Sequence, residues 1–215
     1  HSKAVAYLSN EFHIPVYTTE AVHKGMHENP FLSKKVKKEE LKIVEHYKPF
    51  QIGPFNITAI PVPHDSFGNN GYLIQYKDIN FCVITDIGHV TPEIQSIVGN
   101  ATHLVIESNY DAQMLINGPY PMRLKKRIEG PYGHLSNKET AELLAHFLDP
   151  KRIQQVWLCH LSEENNTPIL ASETSGNALK EVPELQHIIP QPLPRRQPTG
   201  AIEIKINESN VAISE

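Results

Sequence analysis

The sequence predicts an α+β fold of two sheets covered by helices on their outer faces. Two observations carry this. Residues 55–63, 72–76 and 79–85 read as three β segments in close succession, and from there to the C-terminal part strand and helix patterns return in alternation. A length of 215 residues favours one domain spanning residues 1–215. Hydrophobic residues at 40% and charged residues at 20% are ordinary globular proportions, which exclude a disordered tail or a fibrous repeat.

Taken in order, Ala4, Val5, Leu8 and Phe12 fall at helical spacing, residues 14–18 read as a strand, and Thr19 is placed to cap a short helix through Met26. Lys34, Lys35, Lys37 and Lys38 read as a solvated loop leading to a strand at 41–44. Within the three central β segments, Lys77-Asp78 is a tight connection. Thr91-Pro92-Glu93 starts a helix, with Pro where an early position tolerates it and Glu where the dipole favours it. Residues 103–106 form a strand, and 111–133 are helix-rich with Pro and Gly interruptions. Ser136-Asn137 caps an amphipathic helix with Ala141, Leu144, Ala145 and Leu148 on one face. A strand at 155–159, a helix at 168–180 and strands near 185–189 and 201–206 complete the pattern, with 190–198 as a Pro-rich connecting loop.

Lys and Arg total 20 against 24 Asp and Glu, a net charge of −4, so any polyanion must be held by local cations. No apolar run approaches the roughly 18 residues a membrane span needs, and no membrane partner is expected. Cys82 and Cys159 both sit in apolar runs, which suits a reducing compartment. With no signal-peptide pattern, a cytoplasmic location is expected.

Four predicted strands end in a residue able to bind metal. The runs lead into His64-Asp65, Asp86, Glu107 and His160. Strand ends are where a rigid sheet reaches solvent and substrate, so these groups have the means to converge. Imidazole with carboxylate suits zinc, manganese or iron, whereas an all-oxygen set would suit magnesium or calcium. Singly, each has an ordinary explanation: Asp86 before Ile-Gly88 also reads as an Asx turn, and the cysteines as small hydrophobes.

Longer words are more specific. Pro61-Val-Pro-His64-Asp65, Thr85-Asp86-Ile-Gly88, Ile106-Glu107-Ser-Asn109, Gly133-His134-Leu-Ser136-Asn137 and Cys159-His160-Leu-Ser162 follow in this order. The series resembles the metallo-β-lactamase-fold phosphodiesterases, and among them the YycJ-type (WalJ) proteins related to ribonuclease Z. This resemblance implies a four-layer αββα sandwich holding two divalent metal ions, zinc or manganese with iron as a further choice, and a bridging hydroxide that attacks phosphorus. It implies His64, Asp86 and His160 as metal ligands, Asp86 bridging both ions, and Glu107 with His134 as an accessory proton-transfer pair.

His1 is similar to the last His of the family's His-any-His-any-Asp-His motif, which makes it a further ligand. The rest of that motif is then expected upstream of His1, so the fold is expected to be N-terminally incomplete here. The implied function is a nuclease, DNA exonuclease-like, with nucleic acid as partner and DNA favoured over RNA. His134 is followed by Leu-Ser-Asn rather than a Thr-rich stretch, which departs from ribonuclease Z. Lys125, Lys126 and Arg127 are the candidate phosphate contacts. A thioester or lactone hydrolase on the same fold, and a non-catalytic truncated domain, are the alternatives.

Overall fold

The computed structural model describes residues 4–206. Helix α1 (Val5–Phe12) closes at His13, with φ of 53°, and leads to β1 (Val16–Thr18) and α2 (Glu20–Glu28). Thr19 stands at the start of α2, although its hydroxyl makes no capping bond. After a 3-10 turn at Lys38–Glu40, β2 (Leu41–Ile43) pairs in parallel with β1 as a two-stranded sheet.

The larger sheet has seven strands in chain order: β3 (Phe50–Ile52), β4 (Phe55–Pro61), β5 (Asn70–Tyr76), β6 (Ile79–Ile84), β7 (His103–Glu107), β8 (Gln155–Cys159) and β9 (Gln191–Pro192). From β3 to β6 it is an antiparallel meander, turned between β5 and β6 at Lys77-Asp78 as the sequence suggests. From β6 to β9 the pairing is parallel, so each connection must cross back over the sheet. Helices α3 (Pro92–Asn100), α4 (Ala112–Asn117), α5 (Met122–Ile128), α6 (Asn137–Phe147) and α7 (Pro168–Lys180) make these crossings. Four of them start on side-chain caps, α4 through Asp111, whose carboxylate accepts from the Met114 N–H. Thr91 and Thr167 each precede a Pro at the first helical position, and Ser136 forms a reciprocal capping box with Glu139.

Strand alternation puts Cys82 and Ile84, Leu104 and Ile106, and Val156 and Leu158 on one face. There they form a single core with Ile94 and Val98 of α3, Leu143 and Leu144 of α6, and Ala171 and Leu179 of α7. Leu104, Ile106 and Leu158 are fully buried, each contributing roughly 1.5–3 kcal/mol. This core packs the parallel half of the sheet against α3, α6 and α7.

Two expected strands are not formed. Residues 185–189 follow a 3-10 turn at Pro183–Leu185; Leu185 and Ile188 are buried while Ile189 is 71% exposed, a spacing of three rather than two. Strand β9 instead lies in the segment expected to be a connecting loop. Residues 201–206 have no regular structure. Ile204 and Ile206 line a cavity of about 240 Å³ with Phe55, Ile74 and Tyr76, so their apolar spacing serves side-chain contact without ladder pairing.

On the opposite face, the His103 ring lies against both Phe81 and Trp157, with centroid separations of 6.4 and 6.1 Å, and those two rings meet each other at 6.0 Å. Burial holds its pKa below the ordinary value of 6.5. The unfolded chain then takes up a proton that the folded ring refuses, so this residue withdraws stability as pH falls through 6.5. His103→Phe is expected to shrink the loss of urea midpoint between pH about 7.5 and about 5.5. An equal loss in variant and parent would contradict this.

Candidate metal centre

Strands β4, β6, β7 and β8 all run in the same direction, because β5 is antiparallel to both β4 and β6, and β6 to β8 are parallel. Their carboxyl ends therefore meet at one edge. His64 follows β4 after Val62-Pro63, Asp86 follows β6 after Thr85, Glu107 is the last residue of β7, and His160 is the first after β8. His134 reaches the same place from the loop between α5 and α6, where the capping box at Ser136 and Glu139 fixes the chain two residues later. Asp86 and His160 have φ of 54° and 53°, left-handed conformations that turn each side chain sharply off its strand.

Glu107 organises the inner part of the cluster. Its carboxyl is fully buried. Oε1 accepts from His134 Nδ1 at 2.8 Å and from His160 Nδ1 at 2.5 Å, while Oε2 accepts from the backbone N–H groups of Ile87 and Leu135 at 2.9 and 3.4 Å. Burial alone would push its pKa up; the hydrogen bonds and charges of the two imidazoles outweigh that and hold it below the usual carboxylate value. The effect on His160 is reciprocal, its pKa being raised mainly by the bond to Glu107, against the cost of burial.

The same bonds settle which ring nitrogens face outward. A carboxylate can only accept, so His134 and His160 donate through Nδ1. His64 Nδ1 lies 3.0 Å from the Gly133 carbonyl and must also donate. In the neutral rings each Nε2 is then an acceptor directed away from its support, the arrangement by which second-layer oxygens prepare histidines for metal.

Asp86 Oδ1 lies 3.8 Å from His64 Nε2 and 3.6 Å from His160 Nε2, between the two. The ring of His134 sits 5.0 Å from that of His64 and 5.1 Å from that of His160. Two overlapping sets, His64 with Asp86 and His134, and Glu107 with His134 and His160, have ligand atoms within 4.8 Å of one another. The donor chemistry fits a divalent transition metal such as zinc, manganese or iron. Of the five sequence-predicted site residues in the described chain, all five come together. His1, expected as a further ligand, lies outside the described residues.

The cluster opens into a cavity of about 770 Å³. Cys159 also lines it, but burial pushes its thiol up to about 12, as it does for Cys82, so neither supplies a thiolate at neutral pH. Lys125, a candidate phosphate contact from the sequence, and two asparagines near the site serve the fold instead. Lys125 is buried and donates to the Ile116 carbonyl at 2.6 Å. Asn137 and Asn166 are buried against each other and Ser108.

Long-range supports were invisible in the sequence. Arg127 forms a two-pronged ion pair with Asp65 at 2.5 and 2.9 Å. Asn69 donates to the carbonyls of Thr85 and Asp86, Asn109 to that of His160, and Arg195 to those of Leu161 and Ser162. Gly88 lets the Asp86 loop touch the Pro131-Tyr132 backbone, which any Cβ there would overlap. None has a local spacing signal.

Comparison with known proteins gives concordant matches. The family described as "beta-lactamase superfamily domain" matches residues 1–161. The exodeoxyribonuclease WalJ of Streptococcus pneumoniae serotype 2 is 34% identical over 181 residues, 84% of this chain and 66% of that protein. The exodeoxyribonuclease YycJ of Bacillus anthracis is 28% identical over 181 residues, 84% of this chain and 67% of that protein. The chain thus spans about two thirds of the length of these curated relatives. Among solved structures, the metallo-beta-lactamase fold protein YhfI of Bacillus subtilis superposes with a TM-score of 0.57 at 14% identity, over 83% of this chain and 61% of that one. At that identity the likeness speaks to the fold, which is the metallo-β-lactamase fold expected above.

Proposed function

This chain belongs to the beta-lactamase superfamily, and on that premise we propose that the protein is a metal-dependent phosphodiester hydrolase, an exonuclease acting on DNA. The observation that carries the reading is the meeting of His64, Asp86, His134 and His160 around the buried Glu107 carboxylate. The names of its relatives, both exodeoxyribonucleases, favour DNA as substrate and attack from an end.

His64, Asp86 and His160, with His1, would hold two divalent ions, and the Asp86 carboxylate lies between the His64 and His160 imidazoles. Such ions supply charge neutralisation at phosphate and activate the attacking water at neutral pH. The chain's own groups do the rest. Glu107 keeps His160 in the tautomer that presents Nε2 and holds its ring in place. It also orients His134, which would hand a proton to the leaving oxygen. That proton-donating pair favours phosphodiester cleavage over the hydrolysis of small esters.

The test is turnover by the full-length natural protein of a DNA oligonucleotide and bis-p-nitrophenyl phosphate, set against a thioester and a cephalosporin. Preference for phosphodiesters is expected, with His134→Ala keeping its metal while losing about 10²–10⁴ in rate. Preference for the thioester or cephalosporin would overturn the assignment, and loss of metal in His134→Ala would make that residue a ligand rather than the acid.

A further inference from the structure

We propose that Phe67 is the platform on which the nucleobase beside the attacked phosphodiester stacks, so that the substrate is recognised by a base as well as by its phosphate. The inference rests on the phosphodiesterase reading above. Phe67 lies three residues after His64 and lines the same cavity as His64, Asp86 and His160, yet 65% of its surface is exposed.

A single exposed aromatic is ordinary on a protein surface. This one is different because the backbone on either side of it is fastened while the ring is left uncovered. Before it, Asp65 is held by Arg127 through its carboxylate and by the Tyr132 carbonyl through its N–H. After it, Gly68 turns with φ of 74° and Asn69 ties the loop to the Thr85 and Asp86 carbonyls. Underneath, the Phe67 Cβ rests on α2 at Gly25, where an added Cβ would lie only 2.5 Å away. The absence of a side chain at Gly25 lets the Phe67 Cβ and one edge of its ring lie on the helix, while the exposed remainder of the ring lines the cavity.

The cavity joins two chemistries. One wall carries the imidazoles and the carboxylate suited to a metal-bridged phosphate; other walls, Val22, Met26, Val83 and Val105, are apolar. At about 770 Å³ it lies within the roughly 300–1,000 Å³ of typical ligand sites. A nucleotide divides in the same way, into an anion and a flat apolar base. Base–aromatic stacking tolerates every base, because each has a π-face, which suits an exonuclease that must accept any sequence. An unstacked end is required, so single-stranded or frayed termini are the substrates this surface favours.

The experiment compares the full-length metal-loaded protein with its Phe67→Ala and Phe67→Trp variants. One substrate is a single-stranded oligodeoxynucleotide; the other carries abasic residues at its terminal positions. Phe67→Ala is expected to lower kcat/KM on the normal oligonucleotide about 10- to 100-fold, chiefly through KM, and Phe67→Trp to restore it. On the abasic substrate all three proteins should coincide. An equal loss on both substrates, no loss on the normal one, or failure of Trp to restore would overturn the proposal. A parent protein that cleaves neither oligonucleotide would refute the phosphodiesterase reading itself, whereas cleavage of both without any dependence on the base would refute the role of Phe67 alone.

Discussion

Asp86→Ala is expected to reduce phosphodiester turnover by a factor on the order of 10³ or more, since metal clamping at phosphate is worth several kcal/mol. The reason is positional. Its Oδ1 is the only carboxylate oxygen found near both His64 Nε2 and His160 Nε2 among the described ion pairs, at 3.8 and 3.6 Å. Removing it takes away the carboxylate that lies beside both imidazoles and leaves Asp65 beside His64 alone. Asp86→Asn serves as the matched control, because Asn keeps the size and tolerates the left-handed backbone at this position. Both variants should melt close to the parent while losing bound metal, measured by elemental analysis of the purified full-length protein. Stoichiometric metal retained in Asp86→Ala would remove the bridging role and with it the proposed mechanism.

Glu107→Gln should have the second-largest effect, through a different route. Four N–H donors, from His134, His160, Ile87 and Leu135, converge on its two oxygens. An amide offers one oxygen and one NH2, so two of those donors would face another donor in a fully buried site. Each unsatisfied group costs about 1–3 kcal/mol, and a clear fall in melting temperature should follow. Metal affinity should weaken about 10- to 100-fold through the loosened His160. Turnover should fall by about a further 10²–10⁴ through His134. Unchanged affinity together with unchanged rate would show that the carboxylate supports only the fold.

The site was legible in the sequence for a physical reason that also marks where legibility stopped. His64, Asp86, Glu107 and His160 each close an apolar run, and a buried strand delivers its terminal residue to a predictable place. His134 has no strand behind it. Its place came from family resemblance, and the structure accounts for it through Glu107 and the capped start of α6. Long helices such as Pro168–Lys180 announce themselves through caps and length. Strand β9 has two residues, one of them Pro192, and carries too little pattern to distinguish it from a loop. The strand expected at 185–189 does not form because Leu185 and Ile188 pack into the core with Leu179 of α7 rather than beside a neighbouring strand. The grip of Arg127 on Asp65 spans 62 residues, and no local rule reads across that distance.

Two of the proposed ligands, Asp86 and His160, stand in backbone conformations that glycine adopts more readily than any other residue. At these positions selection for durability and selection for activity pull in opposite directions. A lineage freed from the need to turn over substrate would drift towards glycine there and gain thermal resistance as it lost its chemistry.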